Sequence, residues 1–302
     1  MRLYSIFTFI FTFFVIIWGA LVRATHSGAG CGKHWPLCNG EVVPLGAEIE
    51  TIIEFTHRTT SGLSFVFVLI LFFLSRKIFS VRSLTRVSAN YALFFMLIEV
   101  AIGASLVLFG WVKDNSSGIR AFMVAFHLIN SFLLMGSLAA HTLSLYKKRT
   151  ILLKKPFLLT NTIFSRCLLI AFLITGSAGA ITALGDTLFP PESLRGDFYN
   201  YLSPTNHFLV QLRIIHPILA IVISLFILLY GIRMSETRGR MDNFIPLLAY
   251  GVILLTLLQW IVGPLTILLL APLPLQLTHL GVSLLLWTML VPLALEDEFE
   301  HY

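Results

Sequence analysis

Charge is what this sequence has least of. Asp, Glu, Lys and Arg make up 12% of its 302 residues, against 57% hydrophobic residues, and mean hydropathy is +0.88. So little polar surface excludes a soluble globular domain and leaves an integral membrane protein. The formal net charge of +6 carries no nucleic-acid signal, because the basic residues fall in short loops between apolar runs. Acidic residues are scarcer still inside those runs, where only Glu54 and Glu99 occur. A di-iron carboxylate bundle needs several inward-facing carboxylates from different helices, so that chemistry is set aside. Cysteine is nearly absent too: Cys31, Cys38 and Cys167 allow one pair and one odd thiol.

What is present is a series of eight apolar runs, each of about 20 residues and long enough to span a bilayer as a helix. They cover 4–23, 52–74, 89–111, 121–145, 161–184, 207–230, 244–269 and 276–295. The first lacks a small-residue cleavage site before Arg23 and is longer than a signal core, so it reads as a retained helix. Loops after helices two, four and six hold Arg76, Lys77, Arg82 and Arg86, then Lys147, Lys148, Arg149, Lys154 and Lys155, then Arg233, Arg238 and Arg240. The opposite loops offer little beyond Lys33, Lys113 and Arg195. The positive-inside rule then places both termini in the cytoplasm. Cys31 and Cys38 fall outside, in the long first loop, where a disulfide can form and persist.

Glu54 and His57 lie three residues apart at the start of the second helix, on one face and about one turn apart. An ionisable group in the bilayer costs about 2.5–3.5 kcal/mol on insertion scales, so it usually has a partner or a task. Either a ligand beside an acid–base group or an interfacial Glu–Arg pair with a snorkelling histidine fits these residues alone. Repeats sharpen the choice. His57 precedes Gly103 by 46 residues, and His216 precedes Gly263 by 47. A second histidine follows in each half, His127 and His279. Helices one to four are thus expected to recur as five to eight, giving an all-α protein of two duplicated four-helix bundles, 1–150 and 151–302. In that register Glu54 matches Arg213 and Glu99 matches Gln259.

The four repeated histidines also agree in depth, all in the outer half of the bilayer at 1.5 Å per residue. Two imidazoles facing each other from neighbouring helices are what a six-coordinate haem iron needs. Gly62, Gly103, Gly136, Gly179 and Gly263 would let helices approach a flat macrocycle. His26, His34, His141 and His207 have no repeat partner and are not assigned as ligands, although His26 or His34 could line an external site. Arg58 lies about 100° round the helix from His57, a placement that suits a haem propionate or a loop carboxylate better than Glu54.

The stretch Gly19-Ala-Leu-Val-Arg23-Ala-Thr-His-Ser-Gly28-Ala-Gly-Cys31, followed by Trp35-Pro36-Leu37-Cys38-Asn39-Gly40, resembles the first helix and loop of the haem A synthase family. Ile53-Glu54-Phe-Thr-His57-Arg58 is similar to that family's second-helix signature, and His127, His216 and His279 fall at its remaining ligand positions. The resemblance covers nearly the whole chain. It implies oxidation of a methyl group of haem O to a formyl group, giving haem A for terminal oxidases, by two successive hydroxylations with water as oxygen source. It further implies that His57 and His127 hold the substrate haem O, that His216 and His279 hold a resident haem b, and that Glu54 is the catalytic carboxylate. A bacterial inner-membrane location, a haem O synthase as partner and an electron acceptor such as a quinone belong to the same expectation.

Two rival readings share the ligand pattern: a non-catalytic dihaem b-type cytochrome exchanging electrons with quinone, and a haem carrier without redox chemistry. Neither needs a carboxylate beside one ligand. The sequence departs from some family members in lacking a second cysteine pair at Gly185–Pro190. Cys167 is expected as a small buried apolar residue and Glu296–Glu300 as a solvated end.

Overall fold

The computed structural model describes residues 1–146, 163–194, 203–236 and 244–299. Eight of its helices are long and apolar enough to cross a membrane: α1 Arg2–Ala24, α2 Ile49–Ile78, α3 Leu84–Leu108, α4 Gly118–Ser144, α5 Ile163–Leu188, α6 Phe208–Glu236, α7 Phe244–Leu268 and α8 Leu273–Phe299. The protein is an all-α integral membrane protein, as expected. The basic loop residues Lys147–Lys155, Arg195, Arg238 and Arg240, and the boundary at 150, lie outside the described residues. So do the side chains of the acidic tail.

The helices run past the apolar runs because capping polar groups belong to the ends. Ser83 and Ser117 accept hydrogen bonds from the Arg86 and Arg120 backbone N–H groups, fixing the starts of α3 and α4. Helix three therefore begins at Leu84, five residues before the expected start. Inside α6 a short 3₁₀ turn, Leu212–Ile214, interrupts the α-helical ladder. Pro217 has no N–H to offer the Arg213 carbonyl, which explains a change of winding just before His216.

Each helix packs on its sequence neighbour, α1 closes on α4, and α8 closes on α5. The central helices are α4 and α8, with 56% of each span buried against 11–33% for the others. They meet through Phe132, Phe172 and Trp287, whose rings lie 5.2–5.9 Å apart. Trp287 Nε1 donates to the Phe132 carbonyl, and Gly136 allows this contact, since a Cβ there would stand 2.8 Å from that nitrogen. Gly136 thus serves helix packing and not a macrocycle. At the end away from the first loop, buried His141 is held by Ser5 and Ser75 at 2.8 and 2.9 Å. Cys167 corrects an expectation: it is exposed, while Ser165, Leu168 and Phe172 turn inward on the other face of α5.

Candidate functional site

The first loop is stitched to the start of α2. Cys31 and Cys38 form a disulfide. Gly30 lets the loop lie against the helix, because a Cβ there would come within 2.7 Å of the Glu50 and Thr51 backbone. The Gly30 carbonyl accepts from Thr51 Oγ1 at 2.8 Å and from Asn39 Nδ2 at 3.0 Å. In a Cys167→Ser background, a membrane-impermeant maleimide is expected to label no thiol before reduction and two afterwards; labelling of the non-reduced protein would refute the pair.

Glu54 is 3% exposed, and each of its carboxylate oxygens has a protein partner. One carboxylate oxygen accepts the Cys31 backbone N–H at 2.7 Å, and the other accepts Arg58 Nε at 3.0 Å. Arg58 also donates to the carbonyls of Gly32, His34 and Leu37. This overturns the expectation that Arg58 turns away from Glu54. Residues four apart share a helix face, and the earlier angle was taken from His57 and not from Glu54. Arg58 is a clasp between α2 and the loop, with its donors spent on protein acceptors.

The four repeated histidines start eight, nine, eight and six residues beyond the first residues of α2, α4, α6 and α8. At 1.5 Å per residue that is roughly 9–14 Å from the same end of the bundle. All four line one continuous cavity of ≈ 1480 Å³ whose wall is mostly apolar, larger than the roughly 300–1,000 Å³ of common ligand pockets. Glycines back three of them: a Cβ at Gly19 or Gly179 would stand 2.9 Å from the His57 or His216 ring, and one at Gly263 would stand 3.3 Å from His279. Gly62 and Gly103 instead face open space along the cavity.

The second pair is spaced as two axial ligands would be. The His216 and His279 rings lie 6.1 Å apart and are nearly perpendicular. Two metal–imidazole bonds of about 2 Å plus the ring radii require roughly that gap. His216 Nδ1 lies 3.1 Å from the Thr175 carbonyl, which orients Nε2 as the free lone pair. In the first pair, His57 Nδ1 is buried without a hydrogen-bond partner, as is His279 Nδ1 in the second. Among the described residues no group of three or more His, Cys, Asp or Glu converges as a protein-only metal site. A macrocycle that brings its own four nitrogens needs only the two axial side chains, so the residues present fit a haem.

Glu99 has no role that its sequence position alone reveals. It faces His127 Nδ1 at 3.4 Å and accepts from Asn130 and Ser131. Gln259, its repeat partner, donates to the His279 carbonyl and to Ser283. The signal was available: a serine follows the second histidine by four residues in both halves. The Glu54 position differs more sharply, since Arg213 pairs there with Asp186 at 2.9 Å.

Comparison with known proteins agrees with this layout. The COX15-CtaA family model, described as cytochrome oxidase assembly protein, matches residues 2–291. A Thermus thermophilus protein named "Protoheme IX farnesyltransferase" is 41% identical over 280 residues, 93% of this chain and 45% of that protein. Proteins named "Heme A synthase" from Halalkalibacterium halodurans and Bacillus mycoides are 43% identical over 111 residues and 45% identical over 96. Those matches cover 36% and 32% of this chain and 37% and 31% of those proteins. The chain thus spans less than half the length of each of these curated relatives.

Proposed function

The chain belongs to the COX15-CtaA family of cytochrome oxidase assembly proteins, and on that premise we propose that it synthesises haem A by oxidising one methyl group of haem O to a formyl group. The observation that carries this reading is the asymmetry of two otherwise matched histidine pairs. Beside His57 the cavity wall holds a buried carboxylate, Glu54; beside His216 it holds Arg213, tied to Asp186. A pure electron carrier has no use for that difference.

In this reading residues 1–150 seat the substrate haem O between His57 and His127, and residues 151–302 seat a resident haem b between His216 and His279. Haem b, when bound, supplies reversible one-electron transfer. Each hydroxylation breaks one C–H bond, removing two electrons and one proton from the methyl carbon, and adds the hydroxyl of one water, which releases its other proton. The second gives a geminal diol, which loses water to leave the formyl group. The electrons pass to an acceptor of the quinone class in the membrane. Glu54 lies near the reacting edge, where its charge stabilises positive character on that carbon and its oxygens can orient the attacking water. Glu99 holds the His127 ring as outer carboxylates hold metal-binding imidazoles. The basic residues Arg76, Lys77, Arg82 and Arg86, at the end away from the Cys31–Cys38 loop, support a reading with both termini in the cytoplasm, and the family reading adds a bacterial inner membrane.

The name of the Thermus relative raises a second activity, farnesyl transfer to haem. Such chemistry commonly holds a diphosphate through Mg²⁺ and clustered carboxylates. The five Asp residues here, 114, 186, 197, 242 and 297, never come within ten positions of one another. More than half of that relative has no counterpart in this chain, which is room enough for the other activity. A haem O synthase is accordingly a partner and not a function of this chain.

Pigment extraction tests the proposal. Expressed beside a haem O source, the protein is expected to accumulate haem A. Haem O and haem b without haem A, in a protein with an intact low-spin spectrum, would leave a dihaem cytochrome instead.

A further inference from the structure

Among the described residues, two guanidinium groups at the loop end of the cavity form no direct ion pair with an acid. Arg58 is paired with Glu54, Arg213 with Asp186, and Glu99 faces His127. Arg23 and Arg120 also line the cavity, and the acceptors of their hydrogen bonds are all uncharged. Arg23 donates to the Ala183 carbonyl, Thr187 Oγ1 and Gln276 Oε1. Arg120, 3% exposed, donates through one terminal nitrogen to the Lys113 and Asn115 carbonyls. Its Nε is buried with no hydrogen-bond partner. Asp114, the acid nearest in sequence to Arg120, is exposed and faces His26 at 3.5 Å. Asp186 and Asp114 act on Arg23 and Arg120 from beyond ion-pair distance, and a buried cation without a directly bonded anion is relieved when one arrives.

Their positions define what the anion must look like. Gly19 touches His57, and Arg23 lies one helical turn further toward the loop on α1. Arg120 lies seven residues before His127, two turns toward the loop on α4, or roughly 10 Å. Both cations therefore stand on the same side of the first histidine pair, one on each flanking helix. The repeat partners of Arg23 and Arg120 are Ala183 and Pro272, so the second half supplies neither charge of its own, and Arg23 reaches α5 and α8 from α1.

We propose that Arg23 and Arg120 form a carboxylate clamp that takes the two propionate groups of the porphyrin seated between His57 and His127. The clamp turns the dicarboxylate edge of the macrocycle toward the disulfide loop. It also fixes rotation within the ring plane, which two axial imidazoles leave free. A site that oxidises one of several methyl groups needs that rotation fixed. Arg58, the residue first expected at a propionate, has no donor to spare. This inference rests on the proposed substrate.

Titration of the purified, haem b-loaded protein with haem O and with the dimethyl ester of its propionates tests it. Charge-assisted hydrogen bonds to the free acids predict that the native protein binds haem O at least about tenfold tighter than the ester. Arg23→Gln and Arg120→Gln should each narrow that ratio about tenfold, with haem b content unchanged. Should Arg120→Gln lose haem b through misfolding, Arg23→Gln decides alone. An unchanged ratio in the variants that keep haem b, or no preference for the acid in the native protein, overturns the clamp. No haem O binding that depends on His57 would instead sink the substrate reading itself.

Discussion

Protein carrying His216→Ala or His279→Ala is expected to lose its resident haem b and the low-spin spectrum, while His57→Ala and His127→Ala retain both and make no haem A. The ring separation of 6.1 Å leaves space for one metal between His216 and His279, and an alanine at either position offers no axial nitrogen. Outer-shell partners of metal ligands alone affect affinity by about 10–100-fold, so loss of a direct ligand should lower haem b content by more than about tenfold. In the first half the expected consequence differs, because in the proposed reading the haem there is substrate and its loss leaves the second pair untouched. Both pairs line one cavity, yet they are tied to different helices: His57 to α1 through Gly19, and His216 to α5 through Gly179 and Thr175. Haem extraction and reduced-minus-oxidised spectra of the four variants check this. Intact haem b after either C-terminal substitution would void the assignment of the second pair.

The histidine scaffold was legible because it is written twice. A lone histidine in an apolar run is uninformative, but His57 and His216, then His127 and His279, recur with their glycines at nearly constant spacing, and the structure sets them at similar depth. The residues that serve those histidines were harder to read. Arg120 looks in sequence like any interfacial arginine before an apolar run, and nothing local reveals that its Nε is buried without a hydrogen-bond partner. Cys167 was misplaced for a related reason. A helix apolar on all sides has no polar face to give away its orientation, since lipid and core accept the same side chains. Arg58 failed differently: its angle to His57 was right, but its relation to Glu54 was what mattered, and a four-residue spacing brings those two together.

Glu54→Gln is expected to give a folded protein with normal haem b that makes about 10²–10³-fold less haem A, the usual effect of removing one preorganised stabiliser of transition-state charge. The amide keeps an acceptor for either Arg58 or the Cys31 N–H, but it loses a charge-assisted bond of about 1.5–3 kcal/mol and leaves Arg58 without its carboxylate partner. Arg58 retains the carbonyls of Gly32, His34 and Leu37, so the loop stays clasped to α2. A structural role through His57 is not available to Glu54, whose hydrogen bonds go to Cys31 and Arg58. The remaining structural role is to hold the disulfide loop, and Arg58→Gln isolates it. That variant breaks the same ion pair from the other side and leaves the carboxylate charge in place. If Glu54 only anchors the loop, the two variants should lose haem A to a similar extent. If its charge serves the reaction, Glu54→Gln should be the worse by at least about tenfold and should retain unconverted haem O or the half-oxidised alcohol. Haem A levels that fall together in the two variants, or stay near normal in Glu54→Gln, would make Glu54 a loop anchor.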